Sequence, residues 1–204
     1  MKSSQTLLVA GLALTLTAGG IAWQRATAQE AKPAAAQPAA APATGTAFSP
    51  WVDAKGNISL PQDYRTTFVH LGTFSVASTT KMEAAELHNV YTRKEDWATY
   101  KKDGKWPDGA IIVKDVYEAA GENLTTGRSS WASKIKVWFV MVKDTTNRFP
   151  DNPIWGNGWG WGLFEGKDRN KQVSEDYRSD CRTCHVPAKN NDWLYLDRLP
   201  SPLN

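Results

Sequence analysis

Ala110-Ile111-Ile112-Val113-Lys114-Asp115-Val116-Tyr117-Glu118-Ala119 is the stretch that decides the fold. β-Branched residues dominate it, and they suit a pleated strand. On a strand, Ile112, Lys114 and Val116 point one way; Ile111, Val113 and Asp115 point the other. Trp106-Pro107-Asp108-Gly109 makes a turn just before it. After it, Gly121 to Arg128 reads as a loop. Lys134-Ile135-Lys136-Val137-Trp138-Phe139-Val140-Met141-Val142 reads as a second strand with a charged start and a buried end. Upstream, Glu86 to Thr92 is a strand with Leu87, Asn89 and Tyr91 on one face and His88 and Val90 on the other. Thr66 to Val76 is a further strand with a break at Gly72.

Helical signals are fewer. Lys94 to Lys102 is a helix, with Trp97 and Tyr100-Lys101 three and four apart and Gly104 to end it. Asp63-Tyr64-Arg65 starts a brief turn or helix. Asp144 to Phe149 forms a helical turn closed by Pro150, and Ser174 to Cys181 reads as a helix. Trp193 to Leu199 is a final apolar segment. Several strands with few helices and no internal repeat predict an α+β fold: mainly an antiparallel β-sheet with a few short helices.

The stretch Trp155-Gly156-Asn157-Gly158-Trp159-Gly160-Trp161-Gly162-Leu163-Phe164 alternates large residues with glycine. On one strand that makes a bulky face and a bare face. A bare face admits something flat: a haem plane, another sheet or a ring. Simple tryptophan packing in a core is the plainer reading.

Cys181-Arg182-Thr183-Cys184-His185 is a C-x-x-C-H run, the attachment signature of a c-type haem. Each thiol adds across one porphyrin vinyl group, and the adjacent imidazole reaches one axial face of the iron. These are the chain's only two cysteines. Two other readings fit a C-x-x-C pair. A thioredoxin-type disulfide sits after a strand and opens a helix in a βαβ unit, and no such pattern precedes Cys181. A zinc site needs more thiolates or nearby histidines, and only His70 and His88 remain.

The 204-residue chain suggests one folded domain behind two leader segments. Residues 1–28 read as a secretory signal: Lys2, an apolar run from Leu7 to Ala22, and an Ala26-Thr27-Ala28 cleavage site. The run is roughly 16 residues, short for a membrane span, although retained anchoring is the alternative. No cysteine follows it, which excludes a lipoprotein anchor. Residues 29–46 are alanine- and proline-rich and read as a disordered spacer. Residues 47–204 then form a haem domain. Export agrees with haem attachment, since covalent c-type haem is assembled outside the bacterial inner membrane, and it implies a periplasmic protein. The net charge of +3 points to no nucleic-acid or membrane target.

Helical electron-carrier cytochromes place C-x-x-C-H early and supply a methionine ligand later. Here nothing after His185 is a methionine or histidine. Upstream, Met141 sits in an apolar strand and reads as core, Met82 is the other methionine beyond the signal segment, and His70 and His88 read as structural histidines. The iron is therefore expected to be five-coordinate with an open face for a small molecule.

These residues resemble the cytochrome P-460 family and its relatives, the beta-type cytochromes c-prime. The resemblance runs from about Trp51 to Pro200. It is carried by Gly56 to Arg65, Val90-Tyr91, Gly104-Lys105-Trp106-Pro107-Asp108-Gly109, Val113-Lys114, Val142-Lys143-Asp144, Arg148-Phe149, the C-x-x-C-H run and Asn191-Asp192-Trp193. It implies a mainly antiparallel β fold, usually a homodimer. It also implies one haem c per chain, held by Cys181 and Cys184, with His185 as iron ligand. A further implied link joins a lysine to a meso carbon of the porphyrin, by position Lys114. Members that oxidise hydroxylamine use a distal carboxylate; its place corresponds to Phe139, and a distal arginine is replaced by His88. Phenylalanine resembles the gas-binding c-prime members, while His88 offers a proton acceptor. Hydroxylamine oxidation, with electrons passed to a periplasmic cytochrome, and nitric oxide binding both stay open. A plain electron carrier is the third reading.

Overall fold

The computed structural model describes residues 48–81 and 84–199. The signal and spacer segments, and Met82, lie outside them. Four residues, Tyr64–Thr67, form α1; β1 runs Val69–Ala77 and β2 Ala84–Thr92; α2 is Lys94–Asp103. Then come β3 (Ile111–Leu124), β4 (Gly127–Lys143), β5 (Trp155–Gly156) and β6 (Trp159–Glu165). All strand pairs are antiparallel, in the order β1-β2-β3-β4-β6-β5. Among the described residues no helix is long and apolar enough to cross a membrane.

The faces follow the alternation of β3. Ile111 and Val113 pack with Tyr64, Val140 and Phe164 on one side of the sheet. Ile112 packs with Met141, Trp159 and Trp161 on the other. Asp115 is buried on the first side among polar partners. It accepts from Tyr64 Oη (2.6 Å), Asn89 Nδ2 (2.7 Å) and Arg65 Nε (3.1 Å). Those bonds tie α1 and β2 to the central strand.

The helix at α2 stops where Gly104 adopts φ +66°, a left-handed conformation that glycine takes without steric cost. Its buried Asp96 accepts two bonds from Arg93 and one from the Ile111 backbone N–H, fixing α2 against the start of β3. The break expected at Gly72 is present as a register shift between His70 and Gly72.

Four expectations are corrected. Gly121 to Arg128 is no loop: β3 and β4 stay paired out to Leu124 and Gly127, with only Thr125 and Thr126 between them. The outer half of this hairpin is largely exposed, so it lacks the apolar alternation that marks a strand in sequence. Asp144 to Phe149 is not helical; the Asp144 carboxylate accepts from the Thr146 and Arg148 backbone N–H groups, replacing helical bonds. Ser174 to Cys181 is not a regular helix either. Asp180 Oδ2 accepts from Ser174 and from the Glu175 and Asp176 N–H groups, and a π-helical turn (Arg178–Arg182) follows. It runs directly into α3 (Thr183–His185).

The glycine–tryptophan stretch is a hairpin rather than one strand. Asn157 (φ 58°) and Gly158 (φ 79°) form the two-residue turn, the left-handed pair that matches strand twist. Two of the bare positions are filled by rings: a Cβ at Gly160 would lie 2.7 Å from the Trp155 indole, and one at Gly156 would overlap Tyr177. Trp159 and Trp161 are fully buried on the opposite face from Trp155. The flat groups admitted are therefore the protein's own.

Candidate functional site

The second face of the sheet is covered by the C-terminal segment, which enters through the π-helical turn, α3 and a 3₁₀ turn at Val186–Asn191. Between the two lies a cavity of about 450 Å³, a size typical of cofactor sites. Lys114, His88, Phe139, Cys181, Cys184 and His185 all line it. Every candidate site residue proposed from sequence thus meets in one place.

Strand register explains the floor. Val90, Lys114 and Phe139 stand in one row across β2, β3 and β4. Lys114 Nζ lies 4.3 Å from the Phe139 ring centroid. Burial pushes its amine below the ordinary lysine value, opposed by the Cys184 and Cys181 sulfurs and Glu86. A lowered value favours the neutral amine, the nucleophilic form.

On the C-terminal side, His185 Nδ1 donates to the Trp193 carbonyl oxygen at 2.6 Å. A carbonyl only accepts, so Nδ1 carries the proton and Nε2 keeps its lone pair, the tautomer a metal requires. Burial lowers the His185 value as well, which favours neutral imidazole. Trp161 meets the His185 ring edge-on, centroids 5.0 Å apart. Asp192 holds the following turn by accepting from Lys143 Nζ at 2.8 Å and from Trp159 Nε1 at 3.1 Å. Trp193 then takes φ 67°, within the stretch that presents its carbonyl to His185. Both cysteines are free thiols, Cys181 buried and Cys184 exposed. Burial pushes the Cys181 value up to about 11.

His88 lies on β2, where Phe74 of β1 and Val116 of β3 are its register partners. Its Nε2 is 2.8 Å from Glu86 Oε2, and Glu86 Oε1 pairs with Lys136 Nζ. Lys136 and then His88, by hydrogen bonding, hold the Glu86 carboxyl below its ordinary value. Sequence reasoning missed Glu86, although it sits two residues before His88 and therefore on the same strand face. It also missed Phe74, Trp161 and the Trp193 carbonyl, which only register and chain folding bring to the site. His70 lies elsewhere, bonded to Thr73 and packed on Tyr91. Among the described residues no group of three or more His, Cys, Asp or Glu side chains could hold a metal ion.

The donor set fits a porphyrin attached through two thiols: paired sulfurs and a correctly protonated imidazole on one wall, and apolar side chains such as Phe74, Val90 and Phe139 on the other. An antiparallel β-sheet with such a pocket sets this fold apart from the helical electron carriers. The family model of Cytochrome P460 matches residues 61–196, and the chain belongs to that family, whose cytochromes carry haem. Among curated proteins none matches.

Proposed function

We propose that the protein is an exported, periplasmic cytochrome with one covalent haem c. Cys181 and Cys184 form the thioethers, His185 is the axial ligand, and the other iron face stays open to a small nitrogen species. The observation that carries this is the asymmetry of the cavity. His185 and Trp161 stand at the β6 end; Phe74, Val76, Val90 and His88 stand at the β1–β2 end. Met141 is the one thioether among the described lining residues, and its register partner is Trp161, at the His185 end. Among the described lining residues no methionine therefore stands at the β1–β2 end, where one would have to be to ligate a haem iron opposite His185.

The bound haem supplies redox chemistry; the chain supplies orientation and a proton acceptor. Oxidation of hydroxylamine releases protons, and His88 is the group available to take one. Lys114, in its neutral form, is the residue for the additional porphyrin link. Electrons leave to a periplasmic acceptor cytochrome, and the working unit is a homodimer. Turnover of hydroxylamine with an electron acceptor tests the reading, and mass spectrometry should find a Lys114 peptide joined through haem to the Cys181–His185 peptide. The apolar ring pair Phe74 and Phe139 favours a second reading, nitric oxide binding. Rapid nitric oxide uptake with no hydroxylamine turnover would select it.

A further inference from the structure

Two observations on β2 go beyond the haem ligands. Glu86 and His88 are two apart, so both point to the cavity side of the sheet. The Glu86 carboxylate is held from both ends, by His88 at Oε2 and by Lys136 at Oε1. An ionised carboxylate has no proton to give. The His88–Glu86 bond therefore requires the proton on His88 Nε2, which leaves Nδ1 as the basic nitrogen of a ring that lines the cavity.

We propose that Glu86, anchored by Lys136, is a positioning residue that makes His88 the proton acceptor for protic ligands entering the cavity. The step balances simply. A ligand H–X gives its proton to His88 Nδ1, X⁻ stays in the cavity, and the imidazolium is neutralised by Glu86 before the proton passes to water. The inference deepens the proposed function and rests on its open haem face.

Other charges reach the same region. Lys114 lies on β3 and Glu118 is the register partner of Glu86; Asp180 and Arg198 line the cavity from the C-terminal segment. The β1 neighbour of His88 is uncharged Phe74. None of these others is hydrogen-bonded to His88, whereas Glu86 is, so Glu86 sets its orientation. An ordinary surface ion pair would have the same Glu86–Lys136 contact; the difference is that this one ends on a ring in the cavity wall.

The test compares two ligands of the haem-loaded protein by stopped-flow spectroscopy between pH 5 and 9. Hydrogen cyanide must lose a proton on binding ferric haem; carbon monoxide, binding ferrous haem, has none to lose. His88→Gln should slow cyanide roughly 100-fold, the scale of lost general-base assistance. Glu86→Gln should slow it about 10-fold at neutral pH. Lys136→Met should slow cyanide less than Glu86→Gln does, because the Glu86–His88 bond remains. Glu86→Asp should restore part of the rate. Carbon monoxide rates should stay within about twofold throughout.

Unchanged cyanide kinetics in Glu86→Gln would overturn the inference, as would equal slowing of carbon monoxide, which indicates a structural role. If the unaltered protein bound neither ligand, the open haem face itself would fall, and the inference with it. Absence of hydroxylamine turnover with the cyanide pattern intact would refute only the oxidase reading.

Discussion

Replacing Asp115 by alanine should destabilise the fold while leaving the haem pocket untouched. The side chain is fully buried. It accepts from the buried Tyr64 hydroxyl at 2.6 Å and from Asn89 at 2.7 Å, while half-exposed Arg65 lies 3.1 Å away. Burial and this carboxylate push the Tyr64 hydroxyl well above its ordinary value, so it stays a donor. Trp138 Nε1 donates to the same oxygen at 3.1 Å. Hydrogen bonds to a charged group contribute about 1.5–3 kcal/mol each, and buried donors left without an acceptor cost more. Water can reach Arg65 and discount its share. Two buried bonds therefore give a loss of about 3–5 kcal/mol, or a fall in melting temperature of roughly 6–20 °C.

Denaturant unfolding of the haem-loaded protein at neutral pH, followed by far-ultraviolet circular dichroism, measures this loss. Tyr64→Phe alone should cost about 1.5–3 kcal/mol. The double variant should cost less than the sum by about 1–2 kcal/mol, since both changes remove one shared bond. The haem absorption spectrum should not move, because Asp115 faces away from Lys114 on the same strand. A loss below about 1 kcal/mol, or strict additivity, would refute the reasoning.

Gly156→Ala places a methyl group against the Tyr177 ring, and Tyr177 stacks on Trp161; we expect about 1–3 kcal/mol of destabilisation and a perturbed haem spectrum, read by thermal melts and absorption. Asp192→Ala removes the acceptor for Lys143 and Trp159 and loosens the turn that presents the Trp193 carbonyl to His185. With His185 ligating the haem iron as proposed, a weaker hydrogen bond would make the imidazole a poorer donor to ferric iron, so the midpoint potential should rise; redox titration reads the shift. Glu86 has a folded value below its ordinary 4.5, so its contribution is present above about 4.5. That contribution is lost as pH falls through the depressed value. Acid unfolding curves of Lys136→Met should be shallower in that window than those of the unaltered chain.

Much of the site was legible in sequence, because the decisive signals are local. C-x-x-C-H is a spacing within five residues, and the facing of Lys114 follows from alternation along one strand. The same alternation assigned His88 and Val90 to one face, and the structure has them both on the cavity wall. Where local pattern and backbone pairing diverged, the reading failed. The β3–β4 hairpin continues past the core on ladder hydrogen bonds alone, which leave no hydrophobic signature. The run before Cys181 looked helical, but Asp180 captured the backbone donors that a helix start would leave free. In the glycine–tryptophan stretch, Asn157-Gly158 carried the turn signal, yet the longer alternation masked it.

By itself, the sequence determined the strand-rich class, the thiol pair with its adjacent imidazole, and the lysine on a predicted strand face. Each depends on neighbours within a few residues, where backbone periodicity dictates direction. Only the tertiary structure decided that Lys114 shares a row with Val90 and Phe139, and that the Trp193 carbonyl sets the tautomer of His185. It alone brought Lys136, fifty positions along the chain, to the Glu86 carboxylate that orients His88. Those contacts depend on strand register and on how the C-terminal segment closes over the sheet, and a one-residue slip of a strand would turn that strand's side chains to the opposite face.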